Sequence, residues 1–142
     1  MVDEHESVIP IESDADVVIA RQRAREMASE LELTSTDQTL LATAISEVAR
    51  NITAYARYGE VALSVIRDDS GRHGIQVVAR DDGPGIENVE LALQDGFTSG
   101  GGLGLGLPGA RRLVHEFHIE TAPGRGTKVT LVMWEREGAR AV

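Results

Sequence analysis

Gly100-Gly101-Gly102-Leu103-Gly104-Leu105-Gly106-Leu107-Pro108-Gly109 is the stretch on which the fold turns. Its glycines leave backbone amides free to point inward, and Pro108 stands where a first-turn proline is favoured at a helix start. Ala110, Leu113, Val114 and Phe117 then form the apolar stripe of a long third helix. Free amides running into a helix N-terminus suit a polyphosphate. A flexible linker is the other reading of such a run, but a linker has no need to end in an amphipathic helix. Gly104 to Gly109 also satisfies G-x-G-x-x-G, a fingerprint that must follow a strand; Asp95 to Leu103 forms none, so the match is accidental. No G-x-x-x-x-G-K-[ST] occurs, which removes a Walker-type phosphate loop.

Outward from this loop, the chain alternates two kinds of pattern. Val8-Ile9-Pro10-Ile11 is a short extended segment, and Ser13-Asp14-Ala15-Asp16 is a capping signal for a helix to about Leu31. Val17, Ala20, Ala24, Met27, Ala28 and Leu31 recur at three and four residues along it. Thr34-Ser35-Thr36-Asp37 caps a second helix, to about Ala56. From Glu60 the period becomes two, giving strands around Val61–Val65 and Gly74–Ala79 on either side of Asp68-Asp69-Ser70-Gly71. Asp82-Gly83-Pro84-Gly85 ends the second of these, a short helix fits Val89 to Leu93, and Gly96 to Gly106 reads as a mobile loop. His118–Ala122 and Lys128–Trp134 read as two further strands around Pro123-Gly124-Arg125-Gly126. The expectation is one α/β domain over residues 1–142, with frayed ends at about 1–7 and 136–142: a mixed, mostly antiparallel sheet with helices on one face.

Composition narrows the function classes. The 142 residues carry 14 Lys and Arg against 23 Asp and Glu, a net charge of −9, so nucleic acid and anionic membrane surfaces are poor partners. A chain of this length is too short for a two-lobed protein kinase. The absence of cysteine removes disulfides, thiolate chemistry and zinc knuckles. An acidic start where a secretory signal would be basic, and no apolar run near 18 residues, point to a cytoplasmic protein. His115-Glu116-Phe117-His118 falls one residue short of H-E-x-x-H, and its histidines read as ordinary helix-end residues.

Two more constellations can carry chemistry. Glu47 and Asn51 lie one helical turn apart, about 90–130° from the centre of the stripe formed by Leu41, Ala44, Ile45, Val48 and Ile52. A carboxylate and an amide at the edge of a core can serve as a base and a neutral oxygen ligand for magnesium; a solvated surface pair has the same pattern. In Asp81-Asp82-Gly83-Pro84-Gly85 the glycines permit close approach to a flat ligand, and the preceding carboxylate can accept from an exocyclic amine such as adenine's; a plain tight turn uses the same residues.

Taken in order, Glu47-x-x-x-Asn51, Asp81-x-Gly83-x-Gly85, Gly102-x-Gly104-x-Gly106 and Gly126-Thr127 resemble the four boxes of the GHKL ATPase superfamily. The resemblance runs from about Ile11 to Trp134. The stretches Ala44–Ile52 and Gly101–Gly109 narrow it to the RsbT-type serine/threonine switch kinases of bacterial stress signalling. It implies a two-layer α/β sandwich of the Bergerat type holding ATP between the helix layer and a glycine-rich lid. It further implies Glu47 as general base and Asn51 as the holder of Mg2+. Asp81 would accept from the adenine amino group, with Gly83 and Gly85 beside it and Thr127 supporting the pocket. Gly102, Gly104 and Gly106 would contact the phosphates. The implied substrate is a serine or threonine of a STAS-domain antagonist protein within a large signalling complex, and the released kinase would activate a PPM-type regulatory phosphatase.

Three other readings share these boxes. A histidine-kinase catalytic domain needs a phosphoacceptor histidine on an earlier helix, and the only early histidine is His5. An anti-sigma-factor kinase sequesters a sigma factor; Val48-Ala49-Arg50-Asn51 and Leu107-Pro108-Gly109 favour the switch kinase over it. A non-catalytic ATP-gated binding module has no need of a base such as Glu47.

Overall fold

The computed structural model describes residues 6–56, 58–86 and 106–136. Its elements are β1 (Ser7–Ile11), α1 (Asp14–Ser29), α2 (Ser35–Tyr55), β2 (Gly59–Arg67), β3 (His73–Asp81), α3 (Gly106–Leu113), β4 (Glu116–Thr121) and β5 (Thr127–Trp134). The strands form one sheet in the order β1-β2-β3-β5-β4, and every neighbouring pair is antiparallel. The expectation of a mixed sheet thus resolves into an antiparallel one. Pro10 lies on edge strand β1, where a residue without an N–H is tolerated.

Local chemistry sets the helix starts. The Asp16 carboxylate reaches back to accept from the backbone N–H groups of Glu12 (2.9 Å) and Ser13 (3.2 Å), and Thr34 Oγ1 accepts from Asp37 N–H (3.0 Å). In α1 the buried residues are Val17, Ala20, Ala24 and Ala28, a narrow seam of mostly small side chains that admits α2 closely. In α2, Leu41, Ala44, Ile45, Val48, Ala49 and Ile52 are buried, because this helix packs against α1, α3 and the sheet at once.

The register sorts each strand into two faces. Ile9, Val61, Ala79, Val129 and Ile119 form one cross-strand row, and Leu63, Val77, Leu131 and Phe117 the next; both belong to the core under the helices. The following row at the same end is Ile11, Gly59, Asp81, Thr127 and Thr121. It starts apolar and ends polar, which places hydrogen-bonding groups at the rim of the core.

The third helix is shorter than its sequence pattern. It stops at Leu113, and Phe117 lies in β4 opposite Leu131 instead of on the helix. Phe117 fits a helical period with Leu113 and Val114, but it equally fits a period of two with Ile119, and strand pairing decides between them. His118 is accordingly a strand residue. His115 lies just after the helix, and its Nδ1 accepts from Trp134 N–H at 2.9 Å. The short helix expected at Val89–Leu93 lies outside the described residues, as do His5 and most of the glycine loop.

Candidate functional site

Glu47 and Asn51 project from one side of α2 as expected, each half-buried beside the buried Val48 and Ile52. Arg50 Nη1 donates to Glu47 Oε1 at 3.3 Å; the Glu47 side chain keeps 27% exposure and that of Arg50 59%, so the carboxylate remains open to solvent. Among the described residues the Asn51 side chain has no hydrogen-bond partner. A half-buried amide with no partner among the described residues is available to a ligand oxygen or a cation. Among the described residues no cluster of three or more His, Asp or Glu could hold a metal by itself. A magnesium ion carried mainly by phosphate oxygens needs only one or two protein ligands, and the Asn51 side-chain oxygen suits that need.

The end of α2 reaches the Asp81 loop. A Cβ on Gly83 would meet Tyr55 O at 2.8 Å, and Ile52 packs onto Gly59, the register partner of Asp81. The helix turn that carries Asn51 therefore stands beside the strand end that carries Asp81.

The two adjacent carboxylates have separate tasks. Asp82 is exposed; its Oδ1 accepts from Tyr58 N–H at 3.1 Å, and its own N–H donates to Tyr58 O at 3.1 Å, closing the end of the β2–β3 ladder. Asp81 turns to the other face, where its Oδ1 accepts from Gly83 N–H at 2.8 Å. Burial raises its pKa above the ordinary 3.8. Hydrogen bonds from the Gly83 and Thr127 backbones oppose the rise, and the neighbouring charge of Asp82 adds to it. Asp81 is thus a half-buried carboxylate with acceptor capacity to spare.

Gly85 and Gly126 owe their identity to the chain itself. Gly85 has φ +79° and Gly126 φ +77°, and a Cβ on either would overlap a backbone carbonyl, that of Ala122 for Gly85 and that of Asp81 for Gly126. The loop after β3 lies directly on the β4–β5 turn, and Gly124 N–H donates to Pro84 O at 2.6 Å across that contact.

Thr121, which the sequence motifs passed over, joins these parts. Its Oγ1 donates to Gly126 O (2.9 Å), lies 3.0 Å from Thr127 Oγ1, and accepts from Ile86 N–H (2.9 Å). A readable signal existed: Thr121 and Thr127 flank the turn as a register pair, each at the polar end of an alternating strand. The two threonines border, with Asp81, Arg80 and Arg125, an open cleft of about 440 Å³, a volume that suits a small ligand.

Gly106 is the first residue of α3, which buries Leu107 and Ala110 and packs on α2. Gly102 and Gly104 lie outside the described residues.

Comparisons with known proteins give the family of the chain. Residues 36–137 match the family described as histidine kinase-, DNA gyrase B-, and HSP90-like ATPase. The chain is 41% identical over 131 residues to the serine/threonine-protein kinase RsbT of Bacillus subtilis, covering 92% of this chain and 98% of that one. It is 29% identical over 118 residues to an anti-sigma F factor of Caldanaerobacter subterraneus, covering 81% and 82%. Among solved structures, the RsbU and RsbW domains of Rv1364c from Mycobacterium tuberculosis match with a TM-score of 0.61 at 20% identity, over 91% of this chain and 32% of that one. The mycobacterial sensor histidine kinase MprB matches with a TM-score of 0.58 at 22% identity, over 92% and 97%. These two likenesses concern the fold. With a family match across most of its length and a full-length relative at that identity, the chain belongs to the histidine kinase-, DNA gyrase B- and HSP90-like ATPases and, within them, to the RsbT-type serine/threonine kinases.

Proposed function

We propose that this protein transfers the γ-phosphoryl group of ATP to a serine or threonine of a STAS-domain antagonist protein. Released from the phosphorylated antagonist, it binds and activates a PPM-type regulatory phosphatase. The observation that carries the reading is the approach of the last turn of α2, from Ile52 to Tyr55 just after Asn51, to the strand end bearing Asp81 and Thr127. On this reading α2 supplies the base Glu47 and the neutral oxygen ligand Asn51, and the strand end beside it supplies the amine acceptor Asp81.

Phosphoryl transfer asks a protein mainly for positioning and charge neutralisation. Asp81 accepts from the adenine amino group, and Thr127 lies beside it. The glycine stretch ending at Gly106 supplies backbone amides to the phosphates, with the start of α3 behind it. Glu47 takes the proton of the substrate hydroxyl as its oxygen bonds to the γ-phosphorus. The bond to the bridging oxygen breaks and ADP leaves. Mg2+, where bound, neutralises phosphate charge, and Asn51 would hold it. That help is needed because a protein of net charge −9 meets a nucleotide of roughly −4.

The test incubates the protein and its Glu47→Ala variant with Mg-ATP and STAS-domain proteins of the same genome, scoring transfer by intact mass. Transfer by wild type alone, with ATP still bound by the variant, is expected. Equal transfer by the variant removes Glu47 as the base. If neither transfers while both bind ATP and retain a sigma factor, the second reading takes over, in which the chain is an anti-sigma factor; the weaker likeness to anti-sigma F factors supports it.

A further inference from the structure

Proton counting around Thr121 gives Thr127 a definite hydrogen-bonding polarity. A threonine hydroxyl has one proton and two lone pairs. The Thr121 proton goes to Gly126 O, an acceptor that cannot donate, at 2.9 Å. Ile86 N–H, a donor that cannot accept, takes one lone pair at 2.9 Å. The contact with Thr127 Oγ1 at 3.0 Å must then be filled by the proton of Thr127. The opposite assignment leaves Gly126 O without its partner and points the Thr127 proton away from the network, so it forms one bond fewer. With its proton committed to Thr121, Thr127 Oγ1 offers only lone pairs to a further partner.

Directly across the register stands Asp81, a carboxylate with no proton to give when ionised. Two neighbouring groups on one face are therefore both acceptors. A purine 6-amino group carries two N–H bonds, whereas a 6-oxo group carries none and presents lone pairs.

We propose that Thr121 is a positioning residue that sets nucleotide specificity: by absorbing the Thr127 proton it makes Asp81 and Thr127 a pair of acceptors that takes both hydrogens of a 6-amino purine and rejects a 6-oxo purine. The proposal rests on the reading of this row as the adenine pocket. It also explains why a residue outside every nucleotide box ties the loop after β3, at Ile86, to the β4–β5 turn at Gly126.

The test measures binding of ATP and of inosine triphosphate by calorimetry to wild type, Thr121→Val and Thr121→Ser, with thermal unfolding of each. Thr121→Val keeps the shape but lacks the hydroxyl, so the Thr127 proton is free to turn toward a 6-oxo group. The ATP-to-inosine-triphosphate preference is expected to narrow about tenfold, mainly through tighter inosine triphosphate, and Thr121→Ser to keep the wild-type ratio. A fall in both affinities with an unchanged ratio is the mark of a merely structural residue and overturns the proposal, while leaving ATP binding itself intact. Wild type that binds neither nucleotide overturns the adenine-pocket reading along with it. If Thr121→Val does not fold, Thr127→Val decides: loss of ATP affinity with unchanged inosine triphosphate affinity is expected, and equal losses overturn the acceptor assignment.

Discussion

At the scale of single residues, two neighbouring carboxylates differ only in the face they take. Asp81 is drawn under the helices, while Asp82 stays outside and ties Tyr58. Asp81→Asn is expected to remove nucleotide binding, a loss of about a hundredfold or more, because a desolvated charged acceptor is replaced by a neutral amide. Asp82→Asn, which keeps an acceptor oxygen for Tyr58 N–H, is expected to bind nearly as wild type; calorimetry on both variants checks the pair, and the reverse order refutes the register. The pH dependence follows from the direction of the Asp81 shift. Its pKa in the fold lies above 3.8, so its proton is held more tightly folded than unfolded, and the ionised form costs the folded state stability above that pKa. Nucleotide affinity should therefore begin to fall, on acidification, at a higher pH than an unperturbed aspartate would set. Asp81→Asn should melt at neutral pH no lower than wild type.

At the scale of elements, the β2–β3 hairpin shows how one side chain closes a turn. Asp68 accepts from Ser70 N–H (3.0 Å), Ser70 Oγ (2.7 Å), Arg72 N–H (2.9 Å) and Arg72 Nε (3.1 Å), and Gly71 takes φ +88° behind it. The Ser70 hydroxyl leads the causes that hold the Asp68 pKa below 3.8, and the Arg72 contacts add to it. A depressed folded pKa means stability that is present above 3.8 and lost as pH falls through the folded value. Asp68→Ala is expected to lower the thermal midpoint at neutral pH, with the gap from wild type closing in strong acid; thermal melts across pH check it. This turn was plain in the sequence because Asp-Asp-Ser-Gly is local chemistry. The end of α3 was not: Phe117 satisfies two periods, and only its pairing with Leu131 across the sheet selects one.

At the scale of the whole molecule, distant segments are pinned by a buried acid that no motif announces. The Glu135 side chain is fully buried, with Oε1 accepting from His73 N–H (3.0 Å) and Oε2 from Glu32 N–H (2.7 Å). Next to it Arg136 forks onto Asp37 through two contacts of 3.1 Å, so the segment after β5 is fastened to the α1–α2 connection and to the start of β3. Glu135→Ala strips two backbone donors of their partner and is expected to cost about 3 kcal/mol, read by chemical denaturation. Nucleotide binding in the folded fraction should persist, because these contacts stand near His73, at the opposite end of β3 from Asp81.

What depends on neighbours along the chain is legible before any folding is considered. Capping at Ser13–Asp16 and Thr34, the stripes of α1 and α2, the alternation of β2, β3 and β5, and the spacing of Glu47, Asn51, Asp81 and Thr127 are all written at short range, where period and side-chain type suffice. Tertiary structure alone decided what depends on register. It chose the face of Asp81 over Asp82, gave Gly85 and Gly126 a reason in carbonyls from the β4–β5 turn and from β3, and made Thr121 the junction of two loops. Apart from Thr121–Gly126, those contacts join residues tens of positions apart. Their energies come from hydrogen bonds and close packing that exist only once the strands have paired, so no local pattern could carry them.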